Sequence, residues 1–422
     1  MGKRIVATLL LGLSWGLLIG QTSLPPNNLL PAPTGPFSVG RVSYYWVDSA
    51  RPEPLASRPA YRELMVDVWY PAHTAAAHPA APYLPDLPAA QKLLGDIGVK
   101  KTFGAAYTQT LNGRLNTHTQ EEAEFAQGLQ QCPVLIFSHG LGLLKTDYTA
   151  QLEDLASHGY VIAAIAHTYD TKLVAFPDGR VIRFDQERRQ ANSGSEQLSI
   201  QYGNERLKVW AADIRFVIDQ LTRYNRELDF QAPFGGHLNL SRIGAFGHSD
   251  GGRAAALACQ TDNRVSACLN MDGVADNLPF YRDVQGNTMK QPFLLFVRPR
   301  KAGGPTDEDA AKMGYTREQL KELVLAIDKK QTALLTRMPA GSYRVTVATP
   351  GITHASFSDL PLIEYADDNA QYESSLQVLK IIRGYTLAFF DESLLEKKTA
   401  ILGRKSTNSL AVQVEWFPPL GK

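Results

Sequence analysis

The stretch AFGHSDGG, residues 245–252, sets Ser249 between glycines, after an apolar run and before a run of small residues. Gly247-His248-Ser249-Asp250-Gly251 fits the pattern G-x-S-x-G. Alone, that pattern also fits an idle serine in a glycine-rich turn. Its setting says more. RIGAF (242–246) reads as a short strand and RAAALA (253–258) as the start of a helix. Strand, tight turn and helix are what a nucleophile elbow requires. The serine sits in a strained backbone conformation, and the flanking glycines let strand and helix approach without Cβ clashes.

A serine hydroxyl is a poor nucleophile at neutral pH. It needs a base to take its proton and a carboxylate to orient that base. In an elbow of this kind the chain order is Ser, then Asp or Glu, then His. Of the nine histidines only His354 follows His248; it stands in PGITHASF (350–357), just after the strand-like YRVTVA (343–348). The acid is expected at the C-terminal edge of the next strand, where parallel sheets bind ligands. Asp272 in CLNMDG (268–273) is the choice, with Asp276 and an acid after the following strand as alternatives. The oxyanion needs preorganised N–H donors. The residue after the serine, Asp250, supplies one, and Leu141 in SHGLG (138–142), after the strand-like VLIF, supplies the other. A carboxylate at Asp250 would repel an oxyanion if it turned inward; at a helix N-terminus it complements the dipole and only its N–H faces the site. His248, beside the serine, and His167, in AHTYD (166–170), are candidate pocket residues; for His167 a structural polar contact is the alternative.

Outward from the elbow the chain alternates. Val134–Phe137, Tyr160–Ala166, Arg242–Gly247, Val265–Met271, Phe293–Val297 and Tyr343–Ala348 are compact apolar runs. Between and after them lie helical patterns at Thr146–His158, Asn204–Tyr224, Thr316–Thr336 and Tyr372–Phe390, and a hairpin pattern around PDG in Val174–Phe184. Strand alternating with helix predicts a mostly parallel central sheet with helices on both faces, the α/β class. We expect one hydrolase domain over 41–395, preceded by an extended lead-in at 21–40 and followed by a C-terminal extension at 396–422. From Pro71 to Gln131 the rhythm breaks into Ala- and Pro-rich loops and short helical pieces, an insertion.

The 422 residues are 44% hydrophobic and 20% charged, the balance of a globular protein with a sizeable core. A formal charge of +1 gives no electrostatic case for nucleic acid. Lys3 and Arg4 precede an apolar run from Ile5 to Ile19, which reads as a signal peptide over 1–20 and a secreted or periplasmic protein, with an uncleaved anchor as the alternative. Cys132, Cys259 and Cys268 are odd in number and sit in core-like surroundings. Metal-site, P-loop and dinucleotide motifs are absent, so no cofactor or metal is expected.

Several blocks together resemble the plasma and intracellular type II platelet-activating factor acetylhydrolases. They are GPFSVG (35–40), VDVWYPA (66–72), FSHGLG (137–142), LASHGYVIAAIAH (155–167), GHSDGG (247–252), NMD (270–272) and THASFSDL (353–360). The resemblance implies an α/β-hydrolase fold and a metal-independent serine esterase, with Ser249 as nucleophile, Asp272 as acid, His354 as base, and Leu141 and Asp250 as oxyanion donors. It also implies a phospholipid substrate with a short or oxidised acyl chain at sn-2. Asp250 departs from the apolar residue of the animal enzymes, and 71–131 matches poorly. Two other functions compete: an esterase of soluble or polymeric esters with no lipid role, and a non-catalytic binding protein on the same fold. A lipid-facing helix would favour peripheral membrane contact. LPAAQKLLGDIGV (87–99) is the nearest candidate, although such a stripe more often faces a core. Oligomeric state leaves no mark on the sequence.

Overall fold

The computed structural model describes residues 27–422 except 57, 74–77, 193, 195, 228–231, 274–288, 300–303, 314, 336–337, 404–410 and 418–422. The segment read as a signal peptide therefore lies outside the described residues, as does Asp276.

Strands β1 (Ser38–Pro52), β2 (Tyr61–Ala72) and β3 (Ala80–Pro82) come first, then helices α1 (Leu87–Phe103) and α2 (Ala105–Leu111) and strand β4 (Asn116–Glu121). The alternating part follows: β5 (Cys132–Ser138), α3 (Thr149–Ser157), β6 (Val161–Ala166), the small hairpin β7 (Leu173–Ala175) and β8 (Val181–Arg183), α4 (Gln186–Ala191) and α5 (Glu196–Glu227). It continues with β9 (Leu238–His248), α6 (Asp250–Thr261), β10 (Val265–Met271), β11 (Phe293–Val297), α7 (Asp307–Met313), α8 (Arg317–Leu335) and β12 (Ser342–Val347). Helices α9 (Leu360–Glu364) and α10 (Asn369–Leu395) and strand β13 (Val412–Phe417) close the chain.

Eleven strands form one sheet in the order β13-β12-β11-β10-β9-β5-β6-β2-β1-β4-β3. From β12 through β6 every neighbour is parallel. β2 then runs antiparallel to β6, and β1 antiparallel to β2. Strands β5, β6 and β10 carry almost unbroken apolar runs because both faces are covered. On one face Leu207, Trp210, Ile214 and Val217 of α5 and the alanines of α6 pack on β9 and β5. On the other, Leu152 and Leu155 of α3 and Ile382, Phe389 and Phe390 of α10 pack on β5, β6, β9 and β10. The three cysteines are buried thiols. Among the described residues no helix is long and apolar enough to cross a membrane.

Two departures from the expectations have physical causes. The 71–131 region is not only loops: its β4 joins the sheet, pairing parallel with Val39–Arg41 of β1. Its sequence, NTHTQE, has no apolar alternation. Buried Glu153 of α3 holds it instead, accepting from the His118 N–H at 2.7 Å and the Thr119 hydroxyl at 2.7 Å. The C-terminal segment beyond 395 also contributes to the sheet, since β13 runs antiparallel to β12 and covers its outer edge.

Phe390 joins the second core to the site strands. It is fully buried, 5.6 Å from the Phe246 ring and 5.2 Å from that of Phe389. Phe390→Ala is expected to lower the unfolding free energy by about 3–5 kcal/mol, read as a fall in urea midpoint at constant m-value.

Candidate active site

β9 ends at His248 and α6 begins at Asp250, so Ser249 alone turns the chain. Its φ of 55° and ψ of −121° are unusual for a residue with a side chain, at a cost of about 1–3 kcal/mol. The neighbours hold it there. The Ser249 N–H donates to the Met271 carbonyl at 2.8 Å, tying the turn to the end of β10. A Cβ at Gly247 would lie 2.4 Å from the Ser138 carbonyl oxygen, and one at Gly251 would lie 2.1 Å from it. Both glycines are therefore demanded by the closeness of the β5 backbone.

Asp272 follows β10 and also has a positive φ, 53°. Its N–H donates to the Phe296 carbonyl at 3.1 Å, and the Asn270 side chain pins the next residue by accepting from the Gly273 N–H at 2.8 Å. The Asp272 side chain is only 10% exposed, and its Oδ2 lies 2.6 Å from His354 Nδ1. A carboxylate only accepts, so Nδ1 carries the proton and Nε2 is the basic nitrogen. His354 opens a short 3-10 turn, His354–Phe357, that is braced by the Thr353 N–H donating to Ser356 Oγ at 3.0 Å. Its ring lies against His248, centroids 4.4 Å apart, and is about half exposed. The structure thus joins Asp272 to His354 and ties both Ser249 and Asp272 to the end of β10. Arg298, just after β11, was missed by sequence reading: its Nε also donates to Asp272 Oδ2, at 2.6 Å.

The Asp250 carboxylate faces away from repulsion rather than into it. It pairs with Arg206 of α5 and with Arg253 at 3.0 Å. Burial alone would raise this carboxyl, but the two guanidiniums outweigh burial and hold it below the usual carboxylate range. As the first residue of α6, Asp250 has an N–H with no intrahelical acceptor. The Leu141 N–H likewise has no acceptor among the described residues, while the amides around it are spent. Gly140 donates to the Tyr148 hydroxyl at 3.0 Å and Gly142 to the Asp170 carbonyl at 2.8 Å. Arg253, three residues along one helix from Asp250, was legible as its partner; Arg206, on a distant helix, was not.

His248 and His167 do not line an open pocket: both are buried. The Tyr148 hydroxyl accepts from Gly140, so it donates to His248 Nδ1 at 2.8 Å and couples the Leu141 loop to the elbow. Burial, and then the neighbouring His354, lower the His248 pKa well below that of free histidine. His167 lies under the loop, its Nε2 3.0 Å from Ser138 Oγ and its Nδ1 2.8 Å from Asp213 Oδ2, with its ring stacked 4.0 Å from Trp210. Arg62 neutralises Asp213 through two hydrogen bonds, 2.7 and 3.1 Å. Serine, histidine and aspartate recur here in hydrogen-bonded order, but with no exposure, as a support for β5 and its loop.

An α/β sheet with helices on both faces and a strained serine at a strand–helix turn gives the α/β-hydrolase architecture, and relatives named esterases and acetylhydrolases make the chain a carboxylic ester hydrolase. The chain belongs to the family described as platelet-activating factor acetylhydrolase, isoform II, which residues 23–366 match. It is 24% identical over 404 residues to a probable 1-alkyl-2-acetylglycerophosphocholine esterase of Arthroderma benhamiae, covering 90% of this chain and 92% of that one. It is 24% identical over 330 residues to the platelet-activating factor acetylhydrolase of Cavia porcellus, covering 72% and 67% of the two chains. Among solved structures it is similar to a ferulic acid esterase from Streptomyces cinnamoneus. The TM-score is 0.65 at 26% identity, covering 92% of this chain and 99% of the other.

Because its folded pKa is depressed, the Asp250 carboxylate contributes stability that is fully present above the ordinary carboxylate value and lost as pH falls through the folded one. Asp250→Asn is therefore expected to be less stable than the wild type near neutrality. The gap in urea midpoint should narrow as the pH falls below the ordinary carboxylate range.

Proposed function

We propose that the protein is a serine esterase in which Ser249, His354 and Asp272 carry the reaction. The observation that carries this reading is the Asp272–His354 hydrogen bond of 2.6 Å, tied through β10 to a serine of left-handed backbone. His354 Nε2 takes the Ser249 proton as the hydroxyl attacks the ester carbonyl. The oxyanion is received by the N–H groups of Leu141 and Asp250. Collapse of the tetrahedral species expels the alcohol, which takes the proton from His354. Water then attacks the acyl-enzyme by the same route, releasing the acid. Asp272 holds the imidazole with Nδ1–H inward and offsets the imidazolium charge. No step calls for a metal or cofactor.

The substrate we favour is a phospholipid with a short or oxidised acyl chain. Membership of the acetylhydrolase family and likeness to the Arthroderma esterase over nine-tenths of this chain support it. So does α1. It is broken at Gly95, where φ is 63°, with exposed Lys92 and Leu93, the latter 55% exposed, before the break, and Ile97, 88% exposed, and exposed Lys100 after it. Apolar side chains among lysines suit peripheral contact with a lipid surface. The basic and apolar N-terminus, Lys3 to Ile19, supports action outside the cytoplasm. A second reading, an esterase of soluble or polymeric esters without a lipid role, is favoured by the likeness to the ferulic acid esterase.

The deciding assay compares phosphatidylcholines carrying acetyl or a long acyl group at sn-2, with a simple acetate ester as control. The acetyl lipid is expected to turn over and the long-chain lipid not, and Ser249→Ala is expected to lose about 10⁴-fold or more in kcat. Turnover of the simple ester alone would move the substrate to soluble esters. A folded wild type inactive on all three would leave only a binding role.

If α1 meets lipid, Leu93→Glu with Ile97→Glu should weaken sedimentation with phosphatidylcholine vesicles while leaving hydrolysis of the simple acetate unchanged.

A further inference from the structure

The Leu141 N–H shares a peptide with the Gly140 carbonyl, in the loop that follows β5. That peptide is trans, so its C=O and N–H point to opposite sides. Whatever holds the Gly140 carbonyl therefore aims the Leu141 N–H.

Two groups hold it. The Leu143 N–H donates to the Gly140 carbonyl at 3.0 Å, and His139 Nδ1 lies 2.8 Å from it. The direction of the second bond follows from the other side of the ring. The His167 N–H donates to His139 Nε2 at 3.1 Å, so Nε2 carries no proton. Burial, and then the neighbouring His167, hold the His139 pKa well below that of free histidine, and the ring is neutral. Its one ring proton is on Nδ1 and goes to the Gly140 carbonyl. The ring is fully buried, with the rings of His167 and Trp210 against it, each centroid 5.2 Å away.

The N–H of Gly140 is held as well. It donates to the Tyr148 hydroxyl at 3.0 Å, and that hydroxyl donates to Nδ1 of His248, the residue before Ser249, at 2.8 Å. A Cβ on Gly140 would lie 3.1 Å from this Nδ1 and 3.2 Å from the Tyr148 hydroxyl, so the loop rests directly on the pair. Both polar atoms of Gly140 are thus gripped by buried side chains. One grip fixes the plane of the next peptide, and the other refers it to the turn at Ser249.

We propose that His139 and Tyr148 are positioning residues, which clamp Gly140 and thereby aim the Leu141 N–H at the oxyanion. The inference rests on the esterase reading above and deepens it.

The test compares an acetate ester with its thionoacetate analogue, in which sulfur replaces the carbonyl oxygen, on the full chain. Sulfur is larger than oxygen and a weaker acceptor. A misaimed donor therefore costs the oxygen ester more, whereas damage to Ser249, His354 or Asp272 costs both esters alike. His139→Leu removes the Nδ1 donor. It is expected to lower kcat on the oxygen ester about tenfold or more with little change in KM, and to lower the oxygen-to-sulfur ratio of kcat/KM about tenfold, less than the loss of a whole oxyanion donor. His139→Asn returns a donor near the same place and should restore most of the ratio. Tyr148→Phe keeps the ring against Phe137, centroids 4.7 Å apart, and should lower the ratio by a smaller factor. It carries the test if His139→Leu does not fold. An unchanged ratio in folded His139→Leu, or in Tyr148→Phe where it stands in, overturns the inference and leaves the esterase reading standing. A folded wild type inactive on both esters overturns both.

Discussion

Everything at the site depends on how closely three stretches of backbone approach one another. The Ser138 carbonyl at the end of β5 occupies the space where Cβ atoms of residues 247 and 251 would be. The Ser249 N–H reaches across to the Met271 carbonyl. These contacts hold a residue with a side chain in a conformation it would otherwise leave, and the cost of that conformation is offset by the sheet packed on both sides. The same β10 edge then delivers Asp272, also at positive φ, and a loop after β12 delivers His354 to it. The strain is local, but the restraint comes from the parallel strands β5, β9, β10 and β11.

Charge at this edge is managed by pairing and by burial. Each carboxylate near Ser249 has a guanidinium of its own: Asp272 has Arg298, and Asp250 has Arg206 with Arg253. Deeper in, Asp213 is matched by Arg62. The histidines behind the site, His139, His167 and His248, have pKa values lowered first of all by burial, so their hydrogen-bond directions are fixed by neutral rings. The result is a rigid polar floor beneath the Leu141 loop, with only His354 about half exposed among these histidines.

Much of this was legible because it is local. Strand and helix periods, the glycines of the elbow and the apolar runs of β5, β6 and β10 are fixed by sterics and burial acting over a few residues. Once the elbow is recognised, chain order points to His354 as the expected base and to a carboxylate after β10 or β11 as the expected acid, with Asp272 the choice among the alternatives. β4 was not legible, because its pairing rests on Glu153 rather than on an apolar pattern of its own. Nor was the buried role of His167, since Ser138 and Asp213 lie 29 and 46 residues from it in the chain.

The sequence by itself determined the class of fold, the turn that strains Ser249 and the candidate residues around it, because short-range sterics and hydrophobic period specify them. Only the tertiary structure decided how the charges are partnered. Arg206 reaches Asp250 across 44 positions and Arg298 reaches Asp272 across 26, and such pairs form only when separate helices and strand ends are brought to one sheet edge. Electrostatic compensation is a property of distances in space, which a chain acquires by folding.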